Sequence, residues 1–291
     1  MARSIEIGAL TGGADMNIAD RKLLCSTGAL ITSKNNRNHH LLAEIAPKLL
    51  CDGFEFMMYQ SWYDTWEQIS SDLAGMSLSF PVFHVEKCVG QGLSRNEEGD
   101  NEQAQKLFEV NCIMAQRIGA QKLVMHLWDG IPSDSNIENN IEQYAYLNET
   151  AKNYGLLLTI ENVVCNKEDP LLHFKALKKR YPDIAFTFDV KFAQFHEQLD
   201  LALSDEYRWL WAGTVRHLHI SDYAGGYKEW DRLKSLHPGE GRIDYEKLFE
   251  NLKRLNYAET VTIESTSVLP DGSIDYDKLN ESLDYLSSLM V

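Results

Sequence analysis

The sequence has no long hydrophobic run and no cleavable N-terminal signal segment. A membrane-spanning helix needs about 20 consecutive, mostly apolar residues, so nothing in the chain predicts one. Proline is scarce, with seven residues, and no proline- or serine-rich linker or low-complexity tract divides the chain. We therefore expect a soluble globular protein with a single main domain.

Positive charge is also in short supply. The chain has 28 lysines and arginines against 43 aspartates and glutamates, which gives a formal net charge of −15. Nucleic acids and anionic membrane surfaces would be repelled unless a local basic patch outweighed this charge, and the sequence shows no such patch. The expected partner is a small molecule, without nucleic acid or membrane.

The five cysteines are few, odd in number and scattered, without C-x-x-C spacing. This usage favours a reducing, cytoplasmic environment over a disulfide-stabilised scaffold. We interpret them as small core residues: Cys25, Cys51, Cys88, Cys112 and Cys165.

What the chain does have is a regular alternation of short apolar runs and longer amphipathic stretches, which is typical of βα units around a parallel sheet. The runs predict eight strands, at residues 23–31, 53–58, 79–85, 122–127, 156–162, 184–190, 215–221 and 260–265. The stretches between them predict helices at residues 38–50, 64–74, 102–118, 136–154, 171–181, 204–212 and 245–255, and from residue 275 onward. Eight such units over about 250 residues predict a single (β/α)8 TIM barrel.

We assign the barrel to residues 22–291 and a short N-terminal extension to residues 1–21, which contain Gly12-Gly13 and form either a hairpin over the barrel floor or a loose tail. The long polar connection at residues 90–101 follows the third strand. It is either a lid over the barrel mouth or slack surface chain.

Four strings in the second half of the chain carry a polar residue and a potential metal ligand two positions apart. They are Leu158-Thr159-Ile160-Glu161, Phe186-Thr187-Phe188-Asp189, His217-Leu218-His219 and Val261-Thr262-Ile263-Glu264. Residues two apart on a strand share a face, and the carboxyl ends of barrel strands ring one mouth. Independent polar residues at strand ends are the alternative, but four in succession favour a shared partner.

The shared partner that suits two glutamates, an aspartate and a histidine is one divalent ion, either Mn²⁺, Mg²⁺, Co²⁺ or Zn²⁺. The predicted ligands are Glu161, Asp189, His219 and Glu264. Three carboxylates over-neutralise a divalent ion, so a neutral polyol should bind well, and a phosphorylated substrate would need separate positive charge.

The pattern resembles the xylose-isomerase-like, endonuclease-IV-like TIM-barrel superfamily, and within it the sugar (phosphate) isomerase/epimerase branch. The strings that carry the resemblance are Ile160-Glu161-Asn162, Phe188-Asp189, His219-Ile220-Ser221-Asp222, Ile263-Glu264 and the segment His237-Pro238-Gly239-Glu240-Gly241-Arg242-Ile243-Asp244-Tyr245. In that segment the glycines allow a tight turn and Asp244 stands at a helix N-cap, so Glu240 receives no catalytic role.

The resemblance implies that Glu161 and Glu264 hold the metal and also exchange protons with a substrate carbon. Isomerisation or epimerisation of a sugar or hydroxy-keto acid would then pass through a metal-stabilised cis-enediolate. A polyol dehydratase similar to inosose dehydratase would begin with the same glutamates. Alternatives of another class are an endonuclease-IV-like phosphodiesterase and a metal-binding barrel without catalysis.

Further residues near strand ends are candidates for the substrate site. We predict substrate contacts from His126, His84, Glu55, Trp128, His196 and Arg242, and we expect His217 to orient the ligands. Many relatives carry a histidine three residues after the aspartate of strand six, where this chain has Phe192, and His196 is a possible replacement. Arg242 and Lys191 could bind a substrate phosphate or carboxylate, with ordinary surface charge as the alternative. Family resemblance also makes a homo-oligomer unsurprising.

Overall fold

Eight short runs of apolar, β-branched and aromatic residues form a closed parallel barrel in the computed structural model, which describes residues 22–290. Each strand pairs with the next, and the last pairs with the first. The strands are β1 Leu23–Ser26, β2 Gly53–Met57, β3 Val82–His84, β4 Lys122–Met125, β5 Leu157–Glu161, β6 Ala185–Asp189, β7 Val215–Ile220 and β8 Thr260–Ile263. The (β/α)8 barrel is confirmed. The predicted extension with Gly12-Gly13 lies outside the described residues.

Eleven α-helices accompany the strands within residues 22–290. They are α1 Leu42–Ile45, α2 Trp66–Gly75, α3 Cys88–Arg95, α4 Asp100–Arg117, α5 Ile137–Asn153, α6 Pro170–Arg180, α7 Val190–Phe195, α8 Leu199–Ala202, α9 Arg208–Trp211, α10 Tyr245–Arg254 and α11 Tyr276–Leu289. None of these helices has both the length and the hydropathy that a membrane crossing requires.

Alternation along each strand sorts its residues into an outer and an inner set. On β5, Leu158 and Ile160 belong to the large apolar layer between the strands and the helices. Thr159 points the other way, and its hydroxyl lies 2.6 Å from that of Thr187 on β6. Leu24, Val82 and Val124 form a separate apolar cluster that is likewise on the inner set. At mid-depth the barrel interior therefore has apolar side chains from β1, β3 and β4 and hydroxyl groups from β5 and β6.

Several predicted elements are shorter than the sequence pattern suggested. Strand β1 stops at Ser26 rather than residue 31, because the Ser26 hydroxyl accepts the Gly28 N–H and starts a 3-10 turn. The predicted helix 38–50 is three short pieces, with Pro47 inside the last of them. The predicted helix 204–212 is a 3-10 turn followed by α9, and the sequence pattern missed α7 and α8.

The prediction of an irregular connection at residues 90–101 was wrong, because most of its first half is helix α3. Gly90 and Gly92 both lie in the helix and are buried. A Cβ atom on Gly90 would stand 2.1 Å from the backbone oxygen of His126. Glycine is therefore present because α3 packs directly against the end of β4. The helix thereby contacts the backbone of His126, a predicted site residue.

The glycine-rich segment after β7 is organised around one buried carboxylate. Asp222 Oδ2 accepts the backbone N–H groups of Gly239 and Gly241, both at 2.9 Å, and Oδ1 accepts that of Ile243 at 3.1 Å. Asp244 then caps α10 by accepting the Lys247 N–H at 3.0 Å. The predicted turn and N-cap are confirmed, and they give this sequence motif a structural role.

Replacement of Gly90 by alanine tests the close packing of α3 on β4. The added methyl group meets a backbone oxygen that cannot move without displacing β4, so we expect a loss of about 1–3 kcal/mol in the free energy of unfolding. Chemical denaturation followed by circular dichroism measures it. Gly75→Ala at the end of α2 is the matched control, since a Cβ there meets nothing within 4 Å. An equal response of the two variants would contradict the packing argument.

Candidate metal centre

The four predicted metal ligands come together at one end of the barrel. Glu161 and Asp189 end β5 and β6, His219 is next to last in β7, and Glu264 directly follows β8. One ligand atom from each lies within 4.8 Å of the others. The first three side chains are almost fully buried, and that of Glu264 is 12% exposed. The barrel thus concentrates three carboxylates and an imidazole in one small volume.

The donor set fits a divalent cation. Asp189 Oδ1 accepts the Phe192 N–H at 2.8 Å, but Oδ2 is buried and has no hydrogen-bond partner within residues 22–290. Burial raises the pKa of Asp189 to about 7, with repulsion from Glu161 and Glu264 adding to it and the Lys191 ammonium opposing it. A buried carboxylate oxygen without a donor is costly, and a cation among these four residues would satisfy it.

His219 is held on both sides of its ring. Its Nδ1 lies 3.0 Å from Glu161 Oε1, and its Nε2 lies 3.0 Å from Glu55 Oε2. An ionised carboxylate can only accept, so both nitrogens donate here, and the carboxylates of Glu264, Glu55 and Glu161 outweigh burial and raise the pKa of His219 well above its usual value. A cation bound among Glu161, Asp189 and Glu264 would replace the proton on Nδ1, while Nε2 would keep its proton toward Glu55. A carboxylate behind a ligating histidine fixes the orientation of the ring and increases its basicity as a ligand.

Glu55 does not contact the substrate cavity, contrary to the sequence-based prediction. The residue is fully buried inside the barrel, and its Oε2 also accepts from His217 Nε2 at 2.8 Å. Burial disfavours its charge, but the imidazoles of His219 and His217 outweigh that effect and hold the pKa of Glu55 well below its usual range. The alternation on β2 correctly gave the direction of Glu55, and its depth in the barrel could not be read from the pattern.

His217 lies one layer below His219 on β7, and hydrogen bonds to Glu55 connect the two rings. Its Nδ1 lies 2.7 Å from the Thr260 hydroxyl. Burial lowers the pKa of His217 to about 4, so the ring is neutral at neutral pH. The Thr260 hydroxyl therefore donates to Nδ1, and Nε2–H donates to Glu55. The orienting role of His217 remains a prediction, and it would act on His219 through Glu55.

A second group of potential ligands shares Glu161. His126 Nε2 lies 2.8 Å and His84 Nε2 3.5 Å from Glu161 Oε2. The ligand atoms of these three residues also lie within 4.8 Å of one another. Burial acts to lower the pKa of His126, but Glu161 and Asp129 outweigh it and raise the pKa to about 9. Burial acts to raise the pKa of Glu161, but the imidazoles of His219 and His126 outweigh it and hold that pKa well below its usual range.

A cavity of about 130 Å³ opens beside these groups. Predicted residues that line it are His84, His126, Glu161 and Glu264. Lys87, Lys191, Phe192 and Ser235 line it as well. Glu161 and Glu264 therefore contribute two carboxylates to the cavity wall, and Lys87 and Lys191 contribute two ammonium groups.

Three of the predicted substrate residues lie away from this cavity. Trp128 is fully buried, and its indole N–H donates to the Val163 oxygen at 3.1 Å. His196 is buried between two loops, where its Nε2 accepts the Cys165 N–H at 3.1 Å and its Nδ1 lies 2.7 Å from Asp169. Arg242 is exposed and donates to the Gly225 oxygen at 3.1 Å. Each of the three side chains is engaged in holding a loop.

Sequence reasoning missed Asp129 and left Lys191 between an anion-binding role and ordinary surface charge, and the structure brings both residues to the site. Asp129 contacts His126 Nδ1 three residues further along the chain. Lys191, two residues beyond Asp189, is 8% exposed in its side chain and faces the cavity. Both lie just past a strand end, where strand alternation no longer gives the direction of a side chain.

The family model for xylose isomerase-like TIM barrels matches residues 44–289. No curated protein matches the chain significantly by sequence.

Solved structures with the same fold include several sugar epimerases. D-Allulose 3-epimerase from Methylomonas sp. is 13% identical with a TM-score of 0.66, and the match covers 92% of this chain and 98% of that one. 3-Keto-D-glucoside 4-epimerase from E. coli is 16% identical with a TM-score of 0.65, over 92% and 99% of the two chains. The IolI protein, solved with a bound zinc atom, is 15% identical with a TM-score of 0.67, over 93% and 96%. At these identities the likeness concerns the fold.

Replacement of Glu55 by glutamine tests the contact behind His219. The amide has nearly the same shape but no negative charge for the two imidazole N–H groups, so we expect metal affinity to fall about 10- to 100-fold. Titration of the metal-depleted protein by calorimetry measures this affinity. Glu44→Gln on the exposed face of α1 is the control. Unchanged affinity in a folded Glu55→Gln protein would contradict the orienting role.

Replacement of Asp189 by asparagine tests the raised pKa in the metal-depleted protein. The folded-state pKa of about 7 lies above the usual value of about 3.9. The folded state therefore keeps a proton that the unfolded state has lost, and this stabilisation is complete below about pH 4 and disappears as pH rises through 7.

From pH 5 to pH 8 we thus expect Asp189→Asn to gain stability relative to the parent by about 2–3 kcal/mol, seen as a melting-temperature difference that grows by about 5 °C. Calorimetry in the presence of a chelator measures the difference, in which the other titrating groups largely cancel. A difference that does not change between pH 5 and pH 8 would refute a pKa near 7.

Proposed function

Because the chain belongs to the xylose isomerase-like TIM-barrel family, we propose that it is a divalent-metal-dependent isomerase or epimerase of a sugar or hydroxy-keto acid. The observation that carries the proposal is the convergence of Glu161, Asp189, His219 and Glu264 within 4.8 Å beside an open cavity. Four protein ligands leave coordination positions free on a metal that takes five or six. The epimerase neighbours give the proposal further support.

A divalent ion in this site would supply positive charge beside the substrate oxygens, where negative charge develops when the adjacent C–H bond is deprotonated. The chain's own contribution is a pair of carboxylates that enter the cavity from β5 and from the end of β8. Glu264 is the more accessible of the two and has room to approach a substrate carbon. Glu161 is buried and ionised against His219 and His126, which position it rigidly.

With these two residues, one carboxylate removes the α-proton and the other returns it. Return to the opposite face of the same carbon is epimerisation, and return to the neighbouring carbon is isomerisation. A dehydratase would use the same first step and then expel a β-hydroxyl group. Nothing in the described residues distinguishes these outcomes, so the products of the reaction must decide among them.

The nuclease alternative has less support. A third metal would need further ligands in the loop after β7, where the chain reads Asp231-Arg232-Leu233 and the first two residues are exposed. The net charge of −15 also disfavours binding to a phosphate backbone. A barrel that binds metal without catalysis would not need the open cavity or the partly exposed Glu264.

The test is proton–deuterium exchange by NMR in D₂O, with the metal-loaded protein and a panel of ketoses and hydroxy-keto acids. Glu264→Gln should fold normally but lose at least about 100-fold in exchange rate, because it removes a general base or acid. Glu250→Gln on the exposed face of α10 is the control and should retain full activity.

Elemental analysis of the same samples counts the metal. One ion per chain fits the four-ligand site, and two would add the His84, His126 and Glu161 group. Full exchange activity in Glu264→Gln would overturn the assignment of that carboxylate. Absence of exchange with every compound, together with three ions per chain, would support the phosphodiesterase alternative.

A further inference from the structure

Lys191 is a cation in the wall of the candidate active site. Its side chain is only 8% exposed, although lysine normally extends its ammonium group into water. The residue lies on α7, two positions after the metal-ligand candidate Asp189. It lines the same cavity as Glu161 and Glu264. The fold therefore places a positive charge where a substrate would bind.

The contacts of the ammonium group leave part of its capacity unused. Lysine Nζ can donate three hydrogen bonds. Within residues 22–290 it donates one, to the Ser235 hydroxyl at 3.0 Å. It also packs 4.3 Å from the centre of the Phe192 ring. The ion pair with Asp189 Oδ2 has a separation of 3.8 Å, which is too long for a hydrogen bond.

The nearest charged partner of Lys191 is also the one that a metal would engage. Asp189 Oδ2 is the oxygen without a hydrogen-bond partner, and it belongs to the four-ligand group. A carboxylate that shares its charge with a divalent ion attracts a nearby ammonium less strongly. In the metal-loaded site, Lys191 would be left with Ser235 and unused donors facing the cavity.

A second lysine supports the same conclusion from the rim. Lys87 lines the cavity at an exposed position, where its charge adds to that of Lys191. The three carboxylates of the metal site argued for a neutral polyol when considered alone. With two lysines in the same wall, the loaded site can accept a negatively charged substrate without net repulsion.

We propose that Lys191 and Ser235 form an anion-binding subsite, and that the substrate is a sugar or polyol derivative bearing a carboxylate or a phosphate group. This inference rests on the proposed function for the identity of the reacting part of the substrate. The anionic group would lie against Lys191 while the hydroxy-carbonyl part reaches Glu161 and Glu264. Arg242 cannot take this role, because it is exposed and does not line the cavity.

The test compares the parent protein with Lys191→Met, which keeps the length of the side chain and removes the charge. Three sets of compounds are assayed by deuterium exchange: neutral ketoses, their terminal phosphate esters and the corresponding keto-acids. We expect KM for the charged substrate to rise about 10- to 100-fold more in Lys191→Met than KM for the neutral ketoses, as for the loss of a charged hydrogen bond. The phosphate and carboxylate arms show which anion the subsite prefers.

Direct binding separates this inference from the proposed function. Inorganic phosphate is titrated into the metal-loaded protein by calorimetry, and Lys191→Met should weaken its binding by a similar factor without changing metal content. Lys179→Met, at an exposed position on α6, controls for the loss of one charge. If Lys191→Met does not fold, Ser235→Ala removes the hydroxyl that holds the ammonium and should weaken anion binding in the same direction.

Two results would overturn the subsite. Equal loss of turnover with neutral and charged compounds in Lys191→Met would assign the lysine to the reacting atoms instead. Unchanged phosphate binding together with unchanged KM for charged compounds would remove it from substrate binding altogether. Lysine-dependent phosphate binding without exchange from any compound would leave the subsite standing and refute the isomerase proposal.

Discussion

The site depends on two hydrogen bonds inside the barrel, which the two histidines of β7 donate to the carboxylate of Glu55. A fully buried carboxylate would be prohibitively costly without donors, and His217 and His219 both supply one to the same oxygen. This contact determines which ring nitrogen of His219 faces the mouth. Glu55 and His217 are therefore part of the candidate metal centre, although neither lines the cavity.

The convergence of three carboxylates works against the stability of the empty fold. The carboxylates of Glu161, Asp189 and Glu264 lie close enough to repel one another, and only a cation or a proton relieves the repulsion. The pKa of about 7 at Asp189 reflects its burial and this repulsion. The imidazoles of His126 and His219 offset part of it at Glu161. A cluster of carboxylates of this kind is stable only because the surrounding apolar layers hold the strands in place.

The sequence pattern was sufficient for the barrel and for the convergence of the four ligand candidates, because both follow from the two-residue period of a strand. Glu161 and His219 are inner residues at strand ends, so their convergence follows from any closed parallel barrel. The pattern failed where period no longer determines direction. Trp128 lies three residues beyond its strand and turns into the core. Gly90 was placed in a connection because the packing that requires a glycine there involves a strand distant in sequence. The depth of Glu55 required the third dimension.

Below the site, a chain of hydrogen bonds leads from the floor of the barrel toward the mouth, and each group in the chain donates to the next. Lys122 Nζ donates to the Thr260 hydroxyl at 3.1 Å, so that hydroxyl must turn its hydrogen toward His217, whose other nitrogen then donates to Glu55. In barrels of this type the floor is generally associated with stability and the mouth with chemistry. Here the two ends are joined by a chain of fixed donors and acceptors. The lysine at the floor therefore orients the donors that reach Glu55 behind His219, so substitutions at that face would affect the candidate metal centre as well as stability.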